Sequence, residues 1–223
     1  MSKVLKYWKW GYSKIKNRSS ENESLVMEEI PLFPVLFIGR SQCGKEALFE
    51  RVIGDRFSST STHSTGVLSG VRSITVGSGK FCVCCWSEVL CMKGDCFDTH
   101  SFDMLNQLWR KARGVVLIVD ALNAFEYGNL EEQVEKMLAT CKRIERDVLG
   151  CETQLLIVLT KCDLLPGGLT ARDVFNEQLD RYGIDYIFSS SKNVGEGCVN
   201  PSKVMSILSR KMLEWHLNFE PKN

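Results

Sequence analysis

The chain has no surplus of either charge, no long apolar run and no pattern of the secretory-signal kind. Lys and Arg number 28 against 27 Asp and Glu, a formal net charge of +1 over 223 residues. That balance excludes a dedicated nucleic-acid binder, because nothing supplies the broad counterion-releasing surface such binding needs. No stretch approaches the roughly 18 consecutive apolar residues of a membrane-spanning helix. The amino end, Met1 to Trp10, is punctuated by lysines where a secretory signal would carry an apolar core. A cytoplasmic, reducing setting is therefore expected. There is also no internal repeat, and no linker that would divide off a second domain.

Ten cysteines would imply disulfides in a secreted chain, but in a reducing compartment buried free thiols are the default. Five of them crowd together, Cys82, Cys84, Cys85, Cys91 and Cys96, with His63 and His100 in the wider neighbourhood. A zinc site needs ligands paired at a tight turn. Cys82 and Cys84 instead alternate along an expected strand and would face one side of it, so no metal ligand is assigned.

Hydrophobic content of 44% and charged content of 25% are those of a globular chain. Residues 1–30 form an extension in which Lys3, Lys6, Lys9, Lys14, Lys16 and Arg18 interleave with Tyr7, Trp8, Trp10 and Tyr12. Two readings stay open for it: peripheral contact with an anionic membrane surface or a partner, and a solvated, partly helical tail. From Pro34 a strand–helix alternation begins. Val35-Leu36-Phe37-Ile38, Val115-Val116-Leu117-Ile118-Val119 and Leu155 to Leu159 are short all-apolar runs, as expected of strands buried on both faces of a parallel sheet. Between them the pattern predicts a helix over Lys45 to Ile53 closed by Gly54. A polar loop over Ser58 to Ser69 comes next, then a hairpin of Val71 to Val76 and Phe81 to Trp86 about Gly77-Ser78-Gly79. A helix around His100 to Arg113 is predicted to end at Gly114. Apolar spacing of three and four predicts a long helix over Asn129 to Leu149. A helix from Thr170 to Tyr182, the strand Tyr186 to Phe188, and a last helix capped by Asn200 with Pro201 at its first position complete the pattern. The domain spans 31–219, and 220–223 is a tail.

Three motifs stand in order at the carboxyl ends of these strands. Gly39-Arg40-Ser41-Gln42-Cys43-Gly44-Lys45-Glu46 follows the first buried strand and opens a helix, the setting a Walker A loop requires. There glycines let backbone N–H groups turn around phosphate oxygens, the helix N-terminus adds partial positive charge, and Lys45 reaches the β and γ phosphates. Thr160-Lys161-Cys162-Asp163 leaves the third buried strand and matches [N/T]-K-x-D. In that motif the Asp carboxylate accepts two hydrogen bonds from the guanine edge while the Lys stem packs on the base. Adenine lacks those donors and would leave a charge unpaired. Ser190-Ser191-Lys192 ends the next strand where an S-A-K loop would contact the guanine oxygen.

These residues resemble the Ras superfamily of small GTPases over roughly residues 33–218. The resemblance implies an α/β fold, a P-loop NTPase G domain with a mostly parallel six-stranded sheet, one antiparallel edge hairpin and helices on both faces. It implies GTP/GDP as ligand. His63-Ser64-Thr65-Gly66-Val67 looks like a Rab-type switch I, with Ser64, or alternatively Thr65, in the place that senses magnesium and the γ-phosphate. The metal side departs from the family's pattern. Position 46 is Glu where a Ser or Thr hydroxyl would ligate Mg²⁺. Trp86-Ser87-Glu88-Val89-Leu90 stands where W-D-x-x-G is expected. Like charges ~4 Å apart cost about 4 kcal/mol at an effective dielectric of ~20, so Mg²⁺ binding is expected to be weak or absent and hydrolysis at most very slow.

Within the family, Thr65-Gly66, Trp86, the basic-aromatic leader and Leu213-Glu214-Trp215-His216 look like the Rab-like branch that works with ciliogenesis and planar polarity effectors. That branch implies protein effectors of a Fuzzy–Inturned-type complex, a place at the cilium basal body, and a role in membrane trafficking. It also implies an unlipidated tail, in keeping with Phe219 to Asn223 and with Ser2 in place of a myristoylated glycine. Three functions follow: a GTP-binding switch or adaptor, a nucleotide-free pseudo-GTPase scaffold, and a GTPase completed by a partner's residue.

Overall fold

Strand Val115–Val119 is wholly apolar and mostly β-branched, so only a sheet covered on both faces can bury it. In the computed structural model it is the heart of β5 (Gly114–Asp120), every residue of which except Asp120 is buried. The structure describes residues 12–13, 30–40, 42–54, 67–76, 79–88, 112–147, 153–167, 169–190, 198–201, 203–208 and 210. The remaining strands are β1 (Tyr12–Ser13), β2 (Ile30–Gly39), β3 (Val67–Val76), β4 (Gly79–Glu88), β6 (Gln154–Thr160) and β7 (Tyr186–Phe188). Their order is β3-β4-β2-β5-β6-β7, with β1 joined to β2. Neighbours β4, β2, β5, β6 and β7 run parallel, while β3 pairs antiparallel with β4.

The sheet has seven strands where six were expected. The extra one is the two-residue β1, which pairs antiparallel with Ile30 and Pro31. Its source is the segment read from sequence as an extension, whose lysine-rich composition hides a two-residue pairing. β2 accordingly begins at Ile30, ahead of the apolar run. Ser69, assigned to a loop, lies within β3, and Gly79, assigned to a turn, opens β4. Backbone pairing to a neighbour extends both strands past their apolar cores. Cys82, Cys84 and Cys85 all stand on the extended backbone of β4; Cys91, Cys96, His63 and His100 lie outside the described residues.

Helix α1 (Lys45–Gly54) buries Lys45, Leu48, Phe49 and Val52, one stripe at spacings of three and four. Gly54 is its last helical residue. The long helix predicted over Asn129 to Leu149 is α3 (Leu130–Asp147), and a short helix that the pattern did not predict, α2 (Ala121–Tyr127), precedes it, with Gly128 in the left-handed conformation between them at φ 60°. At seven residues α2 is too short to show a helical period. Gly114, predicted to end a helix, is the first residue of β5; of the helix predicted around His100 to Arg113, residues 100–111 lie outside the described residues, and Ala112 and Arg113 are not helical. Helix α4 (Ala171–Asp180) is capped by Thr170, whose hydroxyl accepts from Asp173 N at 3.2 Å. Residues 203–208 are helical behind Asn200 and Pro201.

Alternation along the strands splits the core in two. Leu36, Ile38, Val115, Leu117, Val119, Ile157 and Leu159 face α2, α3 and α4, packing with Leu130, Val134, Phe175 and Leu179. Val35, Phe37, Val116, Ile118, Leu156 and Val158 face α1 and Val204, Met205 and Leu208. Phe37 is fully buried and meets Phe49 edge-on, ring centroids 5.7 Å apart. Truncating such a residue to Ala costs about 3–5 kcal/mol. The chain leaves β2 toward β3 and β4 on one side and resumes at β5 on the other. The crevice at the carboxyl end of β2 is thus a topological switch point, where open α/β sheets hold ligands.

Candidate functional site

Register brings the loops together. Gly39 at the end of β2 is level with Ile118 of β5, Asp120 of β5 with Thr160 of β6, and Leu159 of β6 with Phe188 of β7. The segments following Gly39, Asp120, Thr160 and Phe188 therefore share one edge of the sheet.

The first of these is built for close backbone approach. A Cβ on Gly39 would lie 2.7 Å from Cys43 Sγ and from Ile118 O, so no side chain fits there. Gln42 and Gly44 are left-handed, with φ 63° and 83°. Such residues turn successive N–H groups toward one side, forming an anion-binding concavity. Holding a glutamine there costs roughly 1–2 kcal/mol, so the surrounding packing over-determines the loop. Lys45 is the first residue of α1, is 4% exposed, and its ammonium donates to Gly39 O at 3.3 Å. A buried ammonium this close to the loop's own carbonyls is suited to an anionic ligand that outcompetes them. Cys43 is buried beneath the loop, and burial pushes its thiol up to about 11, against the lowering influence of Lys45. Arg40 leans outward and lies 3.7 Å from Glu132 on α3, a surface pair of little energetic weight.

Thr160 ties this loop to the next. Its Oγ1 lies 2.5 Å from Cys43 O and 3.1 Å from Val119 O, and it is buried. Gly44 packs on the same side chain, since a Cβ there would sit 3.3 Å from Thr160 Oγ1. Lys161 is left-handed at φ 57°. Its Nζ donates to Asp120 Oδ2 at 2.5 Å, while Asp120 Oδ1 accepts from Asn123 N at 3.0 Å and caps α2. Cys162 is buried, its thiol pushed far up by desolvation and then by Cys198 nearby. Its N–H donates to Ser189 O at 3.5 Å, linking this turn to the segment after β7. Ser189 in turn donates through Oγ to Val199 O at 2.9 Å. Asp163, in the turn Cys162–Leu164, is exposed and has no hydrogen-bond or ion-pair partner among the described residues.

Among the predicted site residues, Gly39, Arg40, Gln42, Cys43, Gly44, Lys45, Glu46, Thr160, Lys161, Asp163 and Ser190 fall on this edge. Ser41, Ser64, Thr65, Ser191 and Lys192 lie outside the described residues. Glu46, in the first turn of α1, is half-buried, without an ion-pair partner among the described residues. Ser87 stands opposite Phe37 on β4, two residues before the level of Gly39. Position 46 thus carries a carboxylate where the family's pattern has a hydroxyl, and position 87 a serine where it has a carboxylate. Sequence reasoning missed Asp120. The one signal for it was a carboxylate ending an otherwise apolar strand at this same edge.

No helix among the described residues is long and apolar enough to cross a membrane. No family model matches the chain. The chain is similar to Ras-related protein RabG2 of Dictyostelium discoideum, 25% identical over 166 residues, which are 74% of this chain and 76% of that protein. This similarity, with the parallel sheet and its helices, supports a small-GTPase-like protein at the level of the Ras superfamily.

Proposed function

We propose that the chain is a guanine-nucleotide-binding switch or adaptor that holds its ligand mainly through the base and phosphate loop and only weakly through magnesium. The observation that carries this reading is the Thr160–Cys43 contact, which brings the turn bearing Lys161 and Asp163 against the loop bearing Lys45. One nucleotide would then span both: phosphates on the backbone of 39–45 and on Lys45, the base along the stem of Lys161, its edge on Asp163. Exposed and unpaired among the described residues, the Asp163 carboxylate is free to accept the two donors of guanine. Ser190 and, by sequence position, Ser191 and Lys192 would close the pocket around the base oxygen.

Hydrolysis is not what this site favours. Glu46 sets a carboxylate where metal and γ-phosphate charge would gather, and like charges there cost several kcal/mol before screening, about 4 at ~4 Å and an effective dielectric of ~20. The same residue favours a second reading, a nucleotide-free scaffold that keeps the fold without the ligand. Titration with a fluorescent guanine nucleotide, with and without Mg²⁺, separates the two. Micromolar binding that adenine nucleotides do not displace supports the switch; no binding and no nucleotide in the purified protein supports the scaffold.

The cellular setting we propose is cilium biogenesis and membrane trafficking through a Fuzzy–Inturned-type effector complex at the basal body. It rests on the resemblance of Thr65-Gly66, Trp86, the leader and Leu213 to His216. Co-purification with that complex, dependent on the loaded nucleotide, tests it.

A further inference from the structure

Lys161 belongs to the site proposed above, but what holds it lies on a different strand. The ammonium is 2.5 Å from Asp120 Oδ2, with the lysine side chain 32% exposed and the carboxylate 14%. The carboxylate cannot swing freely, because its other oxygen accepts from Asn123 N at 3.0 Å. Asn123 is itself held: its side-chain oxygen accepts from Asn129 Nδ2 and from Gln133 Nε2, each at 3.3 Å. Gln133 is 3% exposed and donates also to Asn129 Oδ1 at 2.6 Å. An amide cluster at the α2–α3 junction thus fixes one oxygen of the carboxylate, and the other oxygen holds the end of a long, flexible side chain.

From this geometry we infer that Asp120 is a positioning residue for purine binding, holding the Lys161 stem extended in the orientation in which it packs on the base. The inference rests on the guanine-binding reading. A lysine carries large rotamer freedom, and the freedom a ligand would have to quench is already quenched here by Asp120. Such preorganisation raises affinity without adding a contact to the ligand. The left-handed backbone of Lys161 serves the same end, directing the side chain back toward β5 instead of out along the turn.

The two oxygens allow the positioning role to be separated from the helix cap. Asn is as good an N-cap as Asp, so Asp120→Asn keeps the bond to Asn123 N and removes the charge that holds Lys161. Ordering one rotamer-rich side chain corresponds to a loss of affinity of about 2- to 12-fold. The experiment titrates full-length wild type, Asp120→Asn, Lys161→Met and the double variant with fluorescent GDP, with melting temperatures alongside. The expected result is a several-fold loss in Asp120→Asn with the melting temperature held, and no further loss from Asp120→Asn in the Lys161→Met background. Wild-type affinity in Asp120→Asn, or the same loss in both backgrounds, overturns the positioning role while leaving guanine binding intact. Should the wild type bind no GDP, both this inference and the reading beneath it fall.

Discussion

Thr160 Oγ1 lies 2.5 Å from the carbonyl oxygen of Cys43, a contact between residues 117 positions apart in the chain. The hydroxyl has one proton and two carbonyls within reach, Cys43 O and Val119 O. It therefore clamps the phosphate-type loop to the top of two neighbouring strands. Serine or threonine suits this place because the group must donate while buried.

Thr160→Val should show what the clamp contributes. Valine matches the shape but cannot donate, so the buried Cys43 carbonyl loses its partner at a cost of about 1–3 kcal/mol. Chemical denaturation should report that loss, and nucleotide dissociation should quicken as the loop loosens. Thr160→Ser should recover most of both. Full stability in Thr160→Val would mean that the contact contributes nothing.

Glu46→Ser should move two observables in opposite directions. Without nucleotide the protein should lose stability, because a carboxylate in the first turn of a helix contributes about 0.3–1 kcal/mol through the helix dipole. With Mg²⁺ and GTP the variant should bind more tightly than wild type, since a hydroxyl replaces a charge beside the phosphates. Equal Mg²⁺ dependence in the two proteins would clear Glu46 of the defect assigned to it.

The sequence made the core strands legible, because Val35–Ile38, Val115–Val119 and Leu155–Leu159 are apolar without interruption and only a doubly covered sheet buries them. It also placed Lys45, Thr160 and Asp163 at strand ends. What it could not display were relationships set by folding. Asp120 follows the apolar run Val115–Val119 and drew no reading of its own; its meaning comes from Lys161, 41 residues later and next to Thr160, the residue level with Asp120 across the sheet. Helix α2 was invisible because its seven residues bury only Ala121 and Ala124, too few to make a period. β1 was invisible because two paired residues in a lysine-rich segment leave no pattern at all.

Asp163→Asn should exchange one purine for another. A carboxylate only accepts, and suits the two donors on the guanine edge. Xanthine carries a carbonyl in place of the exocyclic amine and needs a donor, which an Asn amide supplies. Hydrogen bonds to charged groups are worth about 1.5–3 kcal/mol each, so guanine affinity should fall by roughly 100-fold or more. Xanthosine diphosphate should become the better ligand, and Asp163→Ala should lose guanine binding without gaining xanthine. Competition titrations read all three; unchanged guanine affinity in Asp163→Ala would remove Asp163 from the site.

Cys43 gives the fold a signature at high pH. Burial lifts its thiol from 9.0 to about 11, so the folded protein resists forming the thiolate while the unfolded chain does not. For an acid raised in the folded state the sign runs one way: the contribution is fully present below pH ~9, and is lost as pH climbs through about 11. Two pKa units correspond to about 2–3 kcal/mol. Cys43→Ala removes the titrating group, so the difference in unfolding free energy between wild type and variant should be constant below pH 9 and shrink between 9 and 11. Alkylation of Cys43 in the folded protein should be slow at neutral pH and accelerate about ten-fold per pH unit, because the thiolate is the reacting form. Rapid labelling of Cys43 at pH 7 would show that the loop opens readily and does not shield the thiol beneath it.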